Sequence, residues 1–199
     1  GDAVLIVADA VKKHVLTTLG ALRLELANKL GIERKGYNLL WITEFPFFEW
    51  DEESETWLAM HHPFTSPLDE CIPYLDSDPD KVFAKAYDLV LNGIELASGS
   101  IRITDPQLQD HMFRALGLSE EEARQKFGFL LDAFRYGAPP HGGMAIGLDR
   151  LVMQMIGAAS LRDVVAYPKV QNMTELMTNC PSPVDEQQLT DLGIALLPN

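Results

Sequence analysis

Two apolar runs joined by the dipeptide Asn92-Gly93 constrain this chain more than any other feature. Tyr87 to Leu91 and Ile94 to Leu96 are rich in strand-forming residues. Asn-Gly between such runs is the strongest short-range signal for a two-residue hairpin, because both central residues must adopt positive φ. An antiparallel pair is therefore expected. Its register sets Leu91 against Ile94 and Val90 against Glu95. On one continuous strand Asp88 and Glu95 would face opposite ways; across the hairpin they become diagonal neighbours on one face.

The signals on either side decide the fold class. Near the N-terminus, Val4 to Ala8 reads as a strand, and Val15, Leu16, Leu19, Leu22, Leu26 and Leu30 recur at helical spacing up to Lys29 and Gly31. The polar stretch Glu33 to Gly36 reads as a connector. Leu39 to Thr43 and Thr56 to Met60 read as strands flanking an acidic loop, Glu49 to Glu55. Pro63, Pro67 and Pro73 keep the next stretch irregular, and Asp80 to Lys85 reads as a short helical turn. Asp105 caps a helix that has Pro106 in its first turn and stops at Gly117. Ser119 and Glu122 form a capping box for a helix running on through Phe127–Tyr136. Met144 to Ile146 reads as a strand entering a helix over Gly147–Ile156, and Ser182-Pro183 opens a last amphipathic helix. Strands and helices without regular βαβ alternation give an α+β fold, an antiparallel β-sheet flanked by helices.

Composition bounds what such a fold can do. With 199 residues, 47% of them hydrophobic, the chain can build a core without disulfides or a structural metal. The net charge of −13 disfavours general binding to nucleic acid or to an anionic membrane, leaving only local basic spots for a phosphate. Cys71 and Cys180 form no CxxC pair and suit a reducing cytoplasm. No apolar run approaches a membrane span, and no leader is visible. The chain opens in a strand-like run without an initiator Met, so it reads as a piece of a longer protein.

Three clusters can carry chemistry: His61-His62-Pro63-Phe64-Thr65, Asp88 through Arg102, and His141-Gly142-Gly143 through Arg150. Asp88 and Glu95 together could hold Mg²⁺ with substrate phosphates, although spacing by itself favours two solvated acids. Arg102 follows the small-residue run Ala97-Ser98-Gly99-Ser100, where a bulge is expected. It could grip a substrate carboxylate in bidentate fashion or pair with Asp105 or Glu95; the two readings are evenly balanced. Arg150, in a first helical turn, wants an anion: a phosphate, or else Asp149 or Asp163. The glycines match neither a dinucleotide-binding nor a P-loop pattern. Adjacent His61 and His62 point to opposite sides of an extended chain, which disfavours a shared zinc site.

Taken in order, these clusters resemble bacterial-type aspartyl-tRNA synthetases, which are class II aminoacyl-tRNA synthetases. The carrying residues are His61 to Thr65, Tyr87 to Glu95, Gly99 to Ile103, Gly137 to Gly143, Gly147 to Leu151, Arg162 to Val164 and Tyr167 to Lys169. The glycine-arginine block looks like motif 3 of that class. The resemblance implies that residues 1–34 are the tail of the bacterial insertion domain and 35–199 the C-terminal half of the catalytic domain, lacking motif 1, motif 2 and the anticodon-binding domain. It implies a cytoplasmic enzyme, an aspartate–tRNA ligase that is a homodimer as the parent protein. Such an enzyme activates L-aspartate with ATP and Mg²⁺ to aspartyl-adenylate and transfers it to tRNA without a protein nucleophile.

By the same resemblance, His61 contacts the aspartate near its α-ammonium group, and Arg102 holds the side-chain carboxylate. Asp88 and Glu95 coordinate Mg²⁺ on ATP, Gly147, Leu148 and Asp149 line the nucleotide pocket, and Arg150 clamps the γ-phosphate. Two departures stand out: Ala97-Ser98 where the family usually has glycines, and Thr104 where a histidine is common. The isolated fragment is expected to be inactive in aminoacylation. The competing reading is a non-catalytic nucleotide- or amino-acid-binding module of the same fold.

Overall fold

The computed structural model describes residues 1–33 and 35–197. In chain order the elements are α1 (Lys12–Lys29), β1 (Leu39–Pro46), β2 (Phe48–Asp51), β3 (Thr56–Ala59), β4 (Phe83–Leu91), β5 (Ile94–Ile101), α2 (Pro106–Ala115), α3 (Glu120–Phe134), β6 (Gly142–Ile146), α4 (Leu148–Ile156) and α5 (Glu186–Asp191). The chain divides into two compact units, Gly1–Leu39 and Leu40–Asn199. The expected connector contains Arg34, which lies outside the described residues.

The first unit is built on α1. Its leucine repeat does form a helix, and Gly31 just past it takes φ of 63°. None of its residues is buried. Val4 to Ala8, expected as a strand, is not one: among the described residues no strand pairs with it, and an unpaired strand has nothing to satisfy its backbone.

The second unit is built on an antiparallel sheet in the order β1-β4-β5-β6, with β2 and β3 forming a separate hairpin. The Asn92-Gly93 turn has positive φ at both residues, 50° and 85°. It sets Leu91 against Ile94 and Val90 against Glu95, as the sequence requires. The bulge, however, does not fall within Ala97–Ser100. The register shifts between Val90–Glu95 and Leu89–Ala97, leaving Leu96 as the extra residue. Leu96 and Ala97 are consequently both buried, which regular alternation would forbid.

Three further expectations are corrected. The acidic segment is only partly a loop, because Glu49 to Asp51 belong to β2, where Trp50 pairs with Trp57 at 5.5 Å between ring centroids. Asp80 to Lys85 is helical only through Lys81; β4 starts at Phe83, and Val82 and Ala84 are fully buried at the two-residue period of a strand. The last helix starts after Asp185 rather than at Ser182, since a residue preceding proline is pushed to extended backbone. The capping box of α3 forms as read, with Ser119 Oγ accepting from Glu122 N and Glu122 accepting from Ser119 N.

The core joins Phe47, Val82, Ala84, Ile103 and Met112. Beside it, Phe64 meets Phe113 and Phe127 edge-on at 6.1 and 5.1 Å, while those two rings stack at 5.7 Å. Gln109 of α2 donates to the Pro63 carbonyl at 2.8 Å. These contacts fasten the segment after His61-His62 to the helices.

Candidate active site

That segment runs alongside the end of β5. Ile103 N donates to Phe64 O, Ser66 N to Ile101 O and Lys85 N to Ser66 O, all at 2.8 to 2.9 Å. Thr65 thereby lies opposite Arg102. Within the sheet, Asp88 pairs with Ser98 and Ala86 with Ser100. On β6, Ala145 and Gly143 pair with the same two serines. Alternation then puts Asp88, Ser98, Ser100, Arg102, Gly143 and Ala145 on one face of the sheet. Glu95, opposite Val90, belongs to it too. The other face carries Tyr87, Gly99 and Met144. A Cβ on Gly99 would stand 2.0 Å from the Gly143 carbonyl oxygen, so only glycine allows the two strands to meet here.

One end of this face is closed. His61 sits edge-on between Phe45 and Phe47, at 6.0 and 5.8 Å. Burial lowers its pKa, against the raising effects of a hydrogen bond to the Pro46 backbone and of the Asp88 charge. Its Nε2 is buried without a partner. The bonded nitrogen must be the donor, because a carbonyl only accepts, which leaves Nε2 of this neutral ring with a lone pair. His62 turns the other way: its Nδ1 lies 3.1 Å from Arg102 Nη1 and accepts from Phe64 N at 3.2 Å. Thr65 Oγ1 is 3.3 Å from His62 Nε2 and 3.3 Å from Ser100 Oγ. Arg102 therefore meets a histidine rather than either carboxylate weighed for it. Asp105 is engaged instead as the cap accepting from Leu108 N at 2.8 Å.

The other end is open. Every residue of β6 is exposed, as are Leu148 and Asp149. Gly147 is the residue before α4 and donates its N–H to Leu96 O at 2.9 Å. Arg150 Nη1 lies 3.3 Å from Glu95 Oε1 and donates to the Glu95 carbonyl at 2.7 Å. Its partner is thus Glu95, not Asp149 or Asp163; Asp163 caps Ser160 N at 3.1 Å. Among the described residues no three His, Cys, Asp or Glu side chains gather as a metal group. Asp88 and Glu95 remain a two-carboxylate pair, suited to a hard cation that brings its other oxygen ligands with it.

Sequence reasoning quoted His62, Thr65 and Ser100 without giving them a part in the site. Only Ser100 lies near Arg102 in sequence; Thr65 and His62 reach it through the pairing of their segment with the end of β5, which no local spacing signals. A cavity of about 440 Å³ between α2 and α3, with Phe113 and Phe134 in its wall, contains none of the site residues. The convergence of charged groups marks the sheet face instead.

The family model "tRNA synthetases class II (D, K and N)" matches residues 7–171, and the chain belongs to that family. It is 57% identical over 197 residues to the aspartate–tRNA ligase of Ruminiclostridium cellulolyticum, covering 98% of this chain and 33% of that protein. It is 56% identical over 195 residues to the aspartate–tRNA(Asp/Asn) ligase of Geotalea uraniireducens, with the same shares covered. The chain thus spans about a third of the length of these relatives. Among solved structures it is similar to the aspartyl-tRNA synthetase of Entamoeba histolytica (TM-score 0.51, 23% identity, 84% of this chain and 28% of that one). It is also similar to the asparaginyl-tRNA synthetase of the same organism with asparaginyl-adenylate (TM-score 0.51, 23% identity, 76% and 28%), and both likenesses concern the fold.

Proposed function

We propose that this chain is the motif 3 portion of an aspartate–tRNA ligase, with residues 1–34 the tail of its insertion domain, and that the sheet face binds aspartyl-adenylate. The single observation that carries the reading is that Arg102 and Glu95 stand at opposite ends of a row of small residues on one face, with Asp88 between them, opposite Ser98. A guanidinium at one end matches a carboxylate, and one carboxylate in the middle with another at the far end matches a cation bound to phosphates.

The remaining contacts follow from the chemistry. His61 Nε2, neutral and lacking a donor, suits the α-ammonium group, which has only donors to offer. Bound Mg²⁺ would neutralise phosphate charge as pyrophosphate departs. Asp88 and Glu95 would hold that ion. Arg150, already near Glu95, would reach the γ-phosphate, while half-buried Gly147 and exposed Leu148 and Asp149 would line the nucleotide. No side chain is needed as nucleophile: the residues orient the two substrates and offset charge. L-aspartate, ATP and tRNA are the substrates of the parent protein, which we take to be a cytoplasmic homodimer. Among the described residues no helix is long and apolar enough to cross a membrane.

The test is thermal stabilisation of the 199-residue chain by aspartyl- and asparaginyl-sulfamoyl adenosine. A ligand that binds only the folded chain adds about 2.7 kcal/mol at 100 times its Kd. The aspartyl compound should raise the Tm, and the asparaginyl compound should raise it less. Equal shifts, or none, would overturn the reading. Aminoacylation by the chain alone is not expected.

A further inference from the structure

Arg102 has an uncommon partner for a guanidinium. Among the described residues it forms no ion pair with a carboxylate; Nη1 instead meets an imidazole nitrogen. We propose that His62 is the positioning residue for Arg102. Its neutral ring, locked between the Phe64 amide and the buried Thr65–Ser100 hydroxyl pair, aims the guanidinium fork at the amino-acid pocket and so sets the preference for a carboxylate over a carboxamide. This rests on the reading that Arg102 receives the amino-acid side chain.

The hydrogen-bond directions fix the state of the ring. Phe64 N–H and Arg102 Nη1 can only donate, and both approach His62 Nδ1, at 3.2 and 3.1 Å. Nδ1 must therefore carry a lone pair, which puts the hydrogen on Nε2. Thr65 Oγ1 lies against the ring, 3.3 Å from Nε2 and 3.5 Å from Nδ1, and the Thr65 hydroxyl donates to Ser100 Oγ at 3.3 Å. Thr65 is 1% exposed and Ser100 4%, so the chain of contacts is anchored in the interior. Burial first, then the neighbouring Arg102 and His61, holds the His62 pKa below its ordinary value and keeps the ring neutral.

Aim matters because a carboxylate and a carboxamide differ at one atom. A carboxylate accepts from both prongs of a fork, whereas a carboxamide turns an NH₂ group onto one of them. Only a fork held with both prongs toward the pocket suffers that mismatch. An arginine free to rotate could retreat from it and would discriminate less.

The experiment is calorimetric titration of the 199-residue chain with aspartyl- and asparaginyl-sulfamoyl adenosine. It compares wild type, His62→Leu, His62→Asn, His62→Gln, Arg102→Leu and the His62→Leu/Arg102→Leu double variant. His62→Leu should cut the aspartyl preference at least about tenfold, the loss of one charge-assisted contact. His62→Asn places an acceptor near Nδ1 and should restore most of the preference; His62→Gln reaches only the Nε2 position and should not. In the Arg102→Leu background, His62→Leu should change affinity by less than about twofold, because the two residues act as one unit.

Preference lost in Arg102→Leu yet intact in His62→Leu would overturn the positioning role and leave the function standing. So would additive losses in the double variant. If His62→Leu does not fold, equal behaviour of the Asn and Gln variants overturns the role. A wild-type chain with no preference, or no binding, would sink the underlying reading and the proposal with it.

Discussion

The two ends of the sheet face are built differently. At the His62–Arg102 end, the side chains are held by one another and by the interior: Thr65 and Ser100 are buried, His61 is wedged between two phenylalanines, and Phe64 locks into the helix pair. At the Glu95–Arg150 end Glu95, Leu148 and Asp149 are exposed and Gly147 and Arg150 half-buried, and the ion pair joins side chains that are 50% and 40% accessible. The closed end is a property of this chain's own packing. On the proposed reading, the open end would take its geometry from the charged ligand bound there. On that reading too, discrimination between near-identical amino acids would call for the first kind of construction, and gripping a flexible triphosphate would tolerate the second.

The largest effect is expected where the two ends share a foundation. Gly99→Ala forces a Cβ to within 2.0 Å of the Gly143 carbonyl oxygen, backbone against backbone, so β5 and β6 must separate. Chemical denaturation should show a loss of about 3 kcal/mol or more, with both halves of the site affected together. A neutral outcome would mean that the strands are not held at this distance. Next in size is Thr65→Val, which keeps the volume but leaves the buried Ser100 hydroxyl without its donor. It should cost about 1–2 kcal/mol and weaken the aspartyl analogue more than ATP. If ATP binding suffers equally, the two ends are not separable.

Much of this was legible in the sequence because it depends on local chemistry. Asn92-Gly93 dictated the hairpin and brought Asp88 to the same face as Glu95, and Ser119 with Glu122 dictated the start of α3. What escaped was non-local. The bulge at Leu96 is a matter of which side chains the core accepts on either side of it, and no spacing rule locates it. The partner of Arg102 lies forty residues away in sequence, in a segment whose position is set by Phe64 against Phe113 and Phe127. For Arg150 the sequence offered a phosphate or else Asp149 or Asp163, yet the side chain it meets is Glu95 of β5. Val4–Ala8 has strand composition but no partner strand among the described residues, and composition without pairing makes no sheet.

Acidification should separate the ends by another route. Burial is the first cause lowering both the His61 and His62 pKa values in the folded chain. Below the ordinary histidine value of about 6.5, the unfolded chain takes up protons that the native histidines resist. Stability should thus be complete above that pH and should fall as pH drops toward the lowered native values. Melting curves between about pH 7 and 5 should show this decline in wild type and a shallower one in His62→Asn. An equal decline in both would assign the effect to other groups.

The smallest stability effect belongs to the open end, and it is the sharpest test of the contrast. Arg150 sits in the first turn of α4, where a cation is unfavourable, and its pair with Glu95 is solvated. Exposed pairs of this kind contribute about 0–1 kcal/mol, and water replaces the lost hydrogen bond to the Glu95 carbonyl. Arg150→Met should therefore move the Tm by less than about 4 °C while weakening Mg-ATP binding by about tenfold or more, since a charge-assisted phosphate contact is removed. A fold left intact with binding lost would show that this arginine is placed for the ligand. A fall in Tm as large as that of Thr65→Val would mean that Arg150 braces α4 against β5, and that the open end is as much a part of the framework as the closed one.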